Sequence, residues 1–388
     1  MHIASATTPV LLDTIADSGG QVRRLTSALA SGMRTTAAAA AIAAAWTMPV
    51  HAQWTTPPVE APGVSQHLFE SEAAGTTVSY HVWLPPEYEL EPERRFPTLY
   101  WLHGSGAAVA SIAPISGWFA DAIEADLIPP MIVVMPNGMN YRMWCNGFDG
   151  VVPMETVVLD ELLPEVDANL RTIPSRRARI VEGFSMGGQG AARFGFRRPD
   201  LFSGISILGA GPLQDDFMEA PKGGDIPPNL RELIFQQVFG GSAEYYTLQH
   251  PRTVAEQNLD AILEHAPFVR QAVGTADFLY EMNVSFHEDL EALGVPHSFL
   301  VAEGVDHSTP ALFEALGDGN WTFYNDLFGD LDSKPADLDG SGAVNGADLS
   351  ILLAAWGTCG DGTPCPADLD GDGTVNGADL TLLLAAWE

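Results

Sequence analysis

Between about residues 66 and 328, short apolar runs alternate with segments of helical periodicity. Thr76 to Leu84, Pro97 to Leu102 and Met131 to Met135 are apolar stretches rich in β-branched and aromatic residues. They predict strands, as do Ala178 to Val181, Ile205 to Leu208, Phe268 to Val273 and Ser298 to Ala302. Glu155 to Leu170 and Phe278 to Leu293 carry apolar residues at helical spacing, and the second helix ends at Gly294, a natural left-handed cap. Strands alternating with helices predict a mostly parallel sheet with helices on both faces. Residues 212–250 hold no strand pattern and predict a helical insertion near the site, while residues 53–65 form a proline-rich lead-in.

A short polar linker, 330–335, precedes an internal repeat. ADLDGSGAVNGADLSILLAAW (336–356) returns as ADLDGDGTVNGADLTLLLAAW (367–387), with seventeen of 21 positions identical. Each copy places oxygen ligands at the spacing of a twelve-residue calcium loop. In the first, Asp337, Asp339, Ser341, Asn345 and Asp348 occupy positions 1, 3, 5, 9 and 12; in the second they are Asp368, Asp370, Asp372, Asn376 and Asp379. Gly342 and Gly373 stand at the sharp turn, and Ala343 and Thr374 would offer backbone carbonyls. Hard oxygen donors favour Ca²⁺ over Zn²⁺. An apolar helix follows each loop and none precedes it, so these are not full EF-hands. Position 12 is Asp where an EF-hand has Glu.

Composition narrows the function. With 18 basic and 50 acidic residues, the formal charge is −32, which argues against nucleic acid or an anionic membrane surface as partner. Cys145, Cys359 and Cys365 are too few for a disulfide scaffold. Cys359 and Cys365 lie close enough for a local bridge, and Cys145 reads as a packed thiol. Ala37 to Trp46 is an apolar core too short to span a bilayer; it follows Arg34 and precedes the loose cleavage pattern Val50-His51-Ala52. Residues 1–52 are therefore read as an export leader with Met33 as a candidate start, and the location as secreted, periplasmic or cell-surface.

The chemistry centres on Glu182-Gly183-Phe184-Ser185-Met186-Gly187-Gly188. A G-x-S-x-G between a buried strand and a helix is a nucleophile elbow: the turn exposes the Ser hydroxyl, and the glycines make room for strand and helix. The Met186 N–H then sits at a helix N-terminus, where it can donate to an oxyanion. A Ser hydroxyl needs a base, and in this arrangement the order is Ser, acid, His. Of the later histidines, His250 and His265 come too early, His287 lies within a helix, and His297 stands at the wrong end of a strand. His307 follows the last strand and takes the base position. Asp277 follows the preceding strand and takes the acid position, ahead of Asp306, whose side chain would diverge from that of its neighbour His307. Leu102-His103-Gly104-Ser105-Gly106 follows an earlier strand, where the second oxyanion donor belongs. Ser105 N–H, or else that of Gly106, is the candidate, with His103 bracing the loop.

PERRFPTLYWLHGSG, MIVVMPNG, EGFSMGGQGAARFGFRRPDLFSGISILGAG and GTADFLYEMNVSFHEDLEALGVPHSFLVAEGVDHS together resemble the esterase family of α/β-hydrolases. That family includes feruloyl and acetyl-xylan esterases, the esterase D enzymes and the antigen 85 mycolyltransferases. The resemblance covers residues 66–329. It implies an α/β-hydrolase fold, Ser185, Asp277 and His307 as nucleophile, acid and base, and an oxyanion hole at Ser105 and Met186. Tyr141 to Gly150 and the 212–250 insertion are expected to shape the pocket. The tail, 336–388, is similar to type I dockerin domains. That likeness implies a small all-α module with two structural calcium ions and a cohesin-like or cell-surface partner. Gly346-Ala347, Gly377-Ala378 and the later Ala pairs stand where dockerins carry hydroxyl and basic contact residues, which puts ordinary cohesin docking in doubt.

The expected function is a secreted serine carboxylic-ester hydrolase, with no cofactor for catalysis, acting on feruloyl or acetyl esters attached to polysaccharide. Two readings compete with it. One is an acyltransferase on the same three residues. The other is a non-catalytic carbohydrate-binding or adhesion protein, against which the presence of all three residues weighs.

Overall fold

The computed structural model describes residues 54–221, 223–224, 226–329, 331, 335–339, 343–359, 365–369 and 373–387. The leader read at 1–52 lies outside them, as do Ser341, Asp370 and Asp372 of the two loops.

An eight-stranded sheet runs in the order β1-β2-β4-β3-β5-β6-β7-β8. Its strands are β1 (Val64–Ser71), β2 (Thr76–Trp83), β3 (Thr98–Leu102), β4 (Ile132–Pro136), β5 (Arg179–Phe184), β6 (Gly204–Leu208), β7 (Phe268–Gly274) and β8 (Ser298–Ala302). The β1–β2 and β2–β4 pairs are antiparallel, and every later neighbour is parallel. β3, β4, β5 and β6 are buried along their whole length, which is why they read as unbroken apolar runs.

Strand β1 is the element that the apolar pattern misses. It is an edge strand with alternating exposure, and Leu68 on it is 57% exposed. It begins at Val64, inside the stretch read as lead-in. That stretch is also anchored: Trp54 is buried, and its carbonyl accepts from Ser79 N–H at 2.9 Å.

The predicted Glu155–Leu170 helix is composite. α-Helical turns at Met154–Thr156 and Leu163–Asn169 flank a π-helical segment, Val157–Leu162. Pro164 lacks the amide that a regular ladder needs there. The remaining helices that frame the site are α1 (Ile112–Glu124), α2 (Met186–Arg197), α3 (Pro228–Phe239), α4 (Tyr280–Leu293) and α5 (Asp318–Phe328). Helix α2 packs on β5 and β6. The insertion is helical as expected, through α3 and Ala243–Gln249. Gly294 caps α4 with φ 74°.

The α/β core reaches into the predicted linker, because Leu331 is buried with Phe323 and Phe328 in one apolar cluster. The tail has its own small core, built from Leu338, Val344, Leu352, Val375 and Leu383 among others. Its helices, α6 (Gly346–Ala354) and α7 (Gly377–Ala385), start from capping boxes in which Asn345 pairs with Asp348 and Asn376 with Asp379. The expected all-α tail needs correcting. Gly357–Thr358 and Thr374–Val375 form a two-stranded antiparallel pair, favoured by the β-branched residues at 374 and 375. Cys359 and Cys365 are joined in a disulfide.

Candidate active site

Ser185 sits at the turn between β5 and α2 with φ 60° and ψ −120°, a conformation that L-residues avoid. Three backbone bonds hold it there. Its N–H donates to Leu208 O at 2.9 Å, and its carbonyl accepts from Gln189 N–H and Gly211 N–H, both at 3.1 Å. The glycines are required by contact. A methyl on Gly187 would lie 1.8 Å from the Leu102 carbonyl oxygen, and one on Gly183 would lie 2.3 Å from the Gly187 oxygen.

The structure brings the three sequence-selected residues together. His307 Nε2 lies 3.0 Å from Ser185 Oγ, and His307 Nδ1 lies 2.8 Å from Asp277 Oδ2. Asp277 is buried, and its other oxygen accepts from Leu279 N–H at 2.8 Å. It thus serves the turn into α4 as well as the imidazole. The loops after β7 and β8 are laced to each other: Ala276 N–H donates to Val305 O at 3.0 Å and Gly304 N–H to Thr275 Oγ1 at 2.8 Å. The His307 ring lies between Phe184 and Phe278, with centroids at 4.5 and 4.6 Å. Asp306 is exposed and stands apart from this chain of bonds.

On the loop after β3, Gly104 closely approaches the nucleophile; a methyl there would be 3.3 Å from Ser185 Cβ. The Gly106 N–H donates to Asn140 O at 2.8 Å. That bond leaves Ser105 as the candidate second donor on this loop. Met186 opens α2, where its N–H has no partner within the helix. His103 is buried and braces the loop: Gly138 N–H donates to Nε2 at 3.1 Å, and Nδ1 donates to Gly104 O at 2.9 Å. Burial lowers its pKa to about 4, so the ring is neutral.

Trp144, in the 141–150 loop, is wholly buried and presents no stacking face. Its indole N–H donates to His103 O at 3.1 Å, and its carbonyl accepts from Arg193 Nη1 at 2.8 Å. Cys145 is a buried free thiol, and desolvation raises its pKa to about 11. Sequence reasoning did not find Arg193. A buried, ion-paired arginine looks no different in sequence from a surface one.

Two clefts meet at Ser185, Ser105 and His307. One is an open groove of about 660 Å³ lined by Trp101, Trp118, Asp121 and Phe313 among others. Trp118 stacks on Trp321 with centroids at 5.0 Å. The other cleft is a pocket of about 180 Å³, walled by Met143, Phe217, Phe278 and Leu279 and reached by Gln214 and Arg231. Met143 from the 141–150 loop and Gln214, Phe217 and Arg231 from the insertion thus line the site, as expected of those segments.

In the tail, Asp337, Asp339 and Asp348 each turn a carboxylate oxygen to a common point, with these atoms within 4.8 Å of one another. Asp348 also accepts from Leu338 N–H at 2.6 Å and Asp339 N–H at 3.0 Å, which ties the start of the loop to its end. In the second loop Asp379 accepts from Leu369 N–H at 2.6 Å in the same way. Ala343 and Thr374 carbonyls accept from Asn345 and Asn376 Nδ2 at 3.0 and 2.9 Å. Asp368 accepts from Gly373 N–H at 2.8 Å.

Residues 71–220 match the family described as "Putative esterase". A Xylanibacter ruminicola protein named endo-1,4-beta-xylanase/feruloyl esterase is 31% identical over 167 residues, 41% of this chain and 23% of that protein. A Mycobacterium tuberculosis protein named as an esterase is 32% identical over 160 residues, 40% of this chain and 34% of that protein. The match therefore spans less than two thirds of the length of these relatives, 23% and 34%. A solved ferulic acid esterase superposes with TM-score 0.53 at 26% identity, over 68% of this chain and 97% of its own. FphF, a fluorophosphonate-binding serine hydrolase of Staphylococcus aureus, superposes with TM-score 0.54 at 20% identity, over 69% of this chain and 99% of its own, a likeness of fold. Over residues 71–220 the α/β domain is thus similar to proteins of the esterase family.

Proposed function

We propose that the α/β domain hydrolyses carboxylic esters through an acyl-enzyme on Ser185. The observation that carries this reading is the continuous chain from Ser185 Oγ through the His307 ring to Asp277. His307 Nε2 takes the hydroxyl proton as Oγ attacks the ester carbonyl. Asp277 holds Nδ1 protonated and stabilises the imidazolium. The amides of Ser105 and Met186 receive the oxyanion. His307 then returns the proton to the leaving alcohol, and a water, deprotonated by the same ring, frees the acid and Ser185.

The alcohol side of the substrate is polymeric in this reading. A chain that enters and leaves the site needs an open groove, and the 660 Å³ cleft with its Trp118 face supplies one. The relative named xylanase/feruloyl esterase points the same way, to a polysaccharide-linked ester. We further infer that the chain is exported and that the tail is a dockerin-like module holding calcium. The oxygen-only cluster of Asp337, Asp339 and Asp348 fits a hard cation. Calcium there would neutralise the converging carboxylates and fix the loop ahead of α6. The second loop would do the same ahead of α7, and a cohesin-like or cell-surface protein is the partner class.

The test is hydrolysis of a short-chain aryl ester by the chain from residue 53, with calcium, against Ser185→Ala. Turnover lost on substitution is the expected result. Equal turnover in both proteins would remove Ser185 from the mechanism.

A further inference from the structure

The two amides proposed to receive the oxyanion lie on separate segments. Met186 opens α2, and Ser105 stands on the loop after β3. A chain of hydrogen bonds joins these segments. It starts at Arg193, about two turns along α2 from Met186. Arg193 Nη1 donates to Trp144 O at 2.8 Å, and Trp144 Nε1 donates to His103 O at 3.1 Å. His103 Nδ1 donates to Gly104 O at 2.9 Å, and Ser105 is the next residue.

The middle of this chain does not hold itself in place. Met143 and Trp144 stand at φ 53° and 48°, a region that L side chains rarely adopt. Two such residues in succession persist only where their surroundings impose the conformation. The seat of the Trp144 ring is one constraint: it lies so close to α2 that a methyl on Gly190 would come within 2.6 Å of it. The bond from Arg193 to the Trp144 carbonyl is another.

Arg193 is itself wholly buried and fixed. Its Nη2 donates to Glu155 Oε2 at 2.6 Å and to Gln249 Oε1 at 2.5 Å. Glu155 is bound back to the 141–150 loop, because its N–H donates to Asn146 Oδ1 at 2.9 Å. The guanidinium thus gathers α2, that loop, the helical turn at Met154–Thr156 and the helix Ala243–Gln249. The proposed hydrolysis assigns it no step. We propose that Arg193 is a positioning residue for the reaction. It locks the 141–150 loop to the nucleophile helix and, through Trp144 and His103, sets where the Ser105 N–H stands relative to the Met186 N–H. The inference rests on the esterase reading above and deepens it. The task suits a guanidinium, whose planar fork serves three acceptors here; a lysine would bring one nitrogen at a different reach.

A buried ion pair also supports stability, so the experiment separates the two roles. Turnover of an aryl ester by the full chain is measured per active site, with sites counted at the end point of labelling by a fluorophosphonate probe. A merely structural role lowers the count and leaves kcat per site unchanged. The expected result for Arg193→Met is a fall in kcat per site of roughly tenfold or more, with KM little changed. Arg193→Lys should recover part of that loss. Arg179→Met is the control. That buried arginine pairs with Asp167 at 2.6 Å at the start of β5, remote from the elbow, and its loss should spare kcat per site. In Arg193→Met/Trp144→Phe the two losses should not multiply, because both cut one chain. An unchanged kcat per site in Arg193→Met, or a raised KM in place of a lowered kcat, would overturn the assignment and leave the esterase reading intact. Losses that multiply would overturn the route through Trp144. Should Arg193→Met give no folded protein, Glu155→Gln and Arg193→Lys decide the matter: each loosens the guanidinium's hold, and unchanged kcat per site in both would overturn the proposal. A wild-type chain that neither takes the label nor turns over any aryl ester would overturn the esterase reading and this inference with it.

Discussion

The indole N–H of Trp144 donates to the backbone carbonyl of His103 at 3.1 Å, and the two rings lie 4.9 Å apart. This contact ties the 141–150 loop to the segment that carries Ser105. Trp144→Phe keeps an aromatic ring and removes the donor, leaving a buried carbonyl unmatched. The expected cost is about 1–3 kcal/mol. In the proposed mechanism the segment that carries Ser105 presents the second oxyanion amide, so kcat should fall by roughly tenfold or more, with little change in KM. Steady-state kinetics on an aryl ester check this; a lower melting temperature with unchanged kcat would limit the bond to a structural role.

Gly187→Ala provides a sharper test of the elbow. The added methyl would meet the Leu102 carbonyl oxygen at 1.8 Å, and backbone on both sides cannot yield. A loss of at least about 3 kcal/mol is expected, along with activity. Gly346→Ala in the tail is the control, since nothing lies within 4 Å of the added methyl there. Urea midpoints of the two variants should therefore differ widely; similar midpoints would contradict the packing.

Beneath the nucleophile, Arg270 Nη2 pairs with Glu182 Oε2 at 3.2 Å, and Tyr324 Oη donates to both Glu182 oxygens at 3.0 Å. Arg270 also donates to Ser206 Oγ at 2.8 Å and to Asn320 Oδ1 at 2.7 Å. The network joins β5, β6, β7 and α5. Arg270→Met alone strands a buried carboxylate and should cost about 3–5 kcal/mol. The double variant Glu182→Leu/Arg270→Met should recover much of that loss. Urea denaturation of both proteins checks the order, and a double variant weaker than the single would reverse it.

Acid stability follows from buried neutral histidines. His103 has its pKa lowered by burial from 6.5 to about 4, and His250 is lowered in the same way. Between those values the unfolded chain binds protons that the folded chain does not, so stability falls as pH falls from 6.5 towards 4. The His103 contribution is on the order of 3 kcal/mol when fully expressed. Glu182, whose pKa burial raises, opposes this trend above pH 4.5. Melting temperature measured across that range should drop on the acid side, and His103→Gln should make the drop shallower. An unchanged acid limb in that variant would place the effect on other groups.

Much of the architecture was legible because it depends on local pattern. Buried parallel strands such as Ile132–Pro136 and Gly204–Leu208 announce themselves as apolar runs. The elbow is a local steric problem that only glycines at 183 and 187 solve, so Ser185 could be selected from seven residues. Asp277 and His307 followed from chain order, since each loop leaves the same edge of a parallel sheet. The duplication at 336–356 and 367–387 was legible for the same reason: the spacing of acidic residues within each copy is set by the chain itself.

Other features were decided by tertiary structure. Edge strand β1 gave no apolar run because one side of it is solvent. The π-helical segment at 157–162 and the β-pair in the tail depend on how neighbouring segments meet. Above all, Gln214 and Arg231 lie 17 residues apart in an insertion with no strand pattern and no motif. Only folding buries both beside Ser185, where they share the Phe217 and Glu219 carbonyls as acceptors and Gln214 Oε1 is left without a hydrogen-bond partner. Sequence fixes which atoms can react, because that chemistry is short-range and covalently spaced. What those atoms meet is set by packing between segments distant in the chain, which no local pattern records.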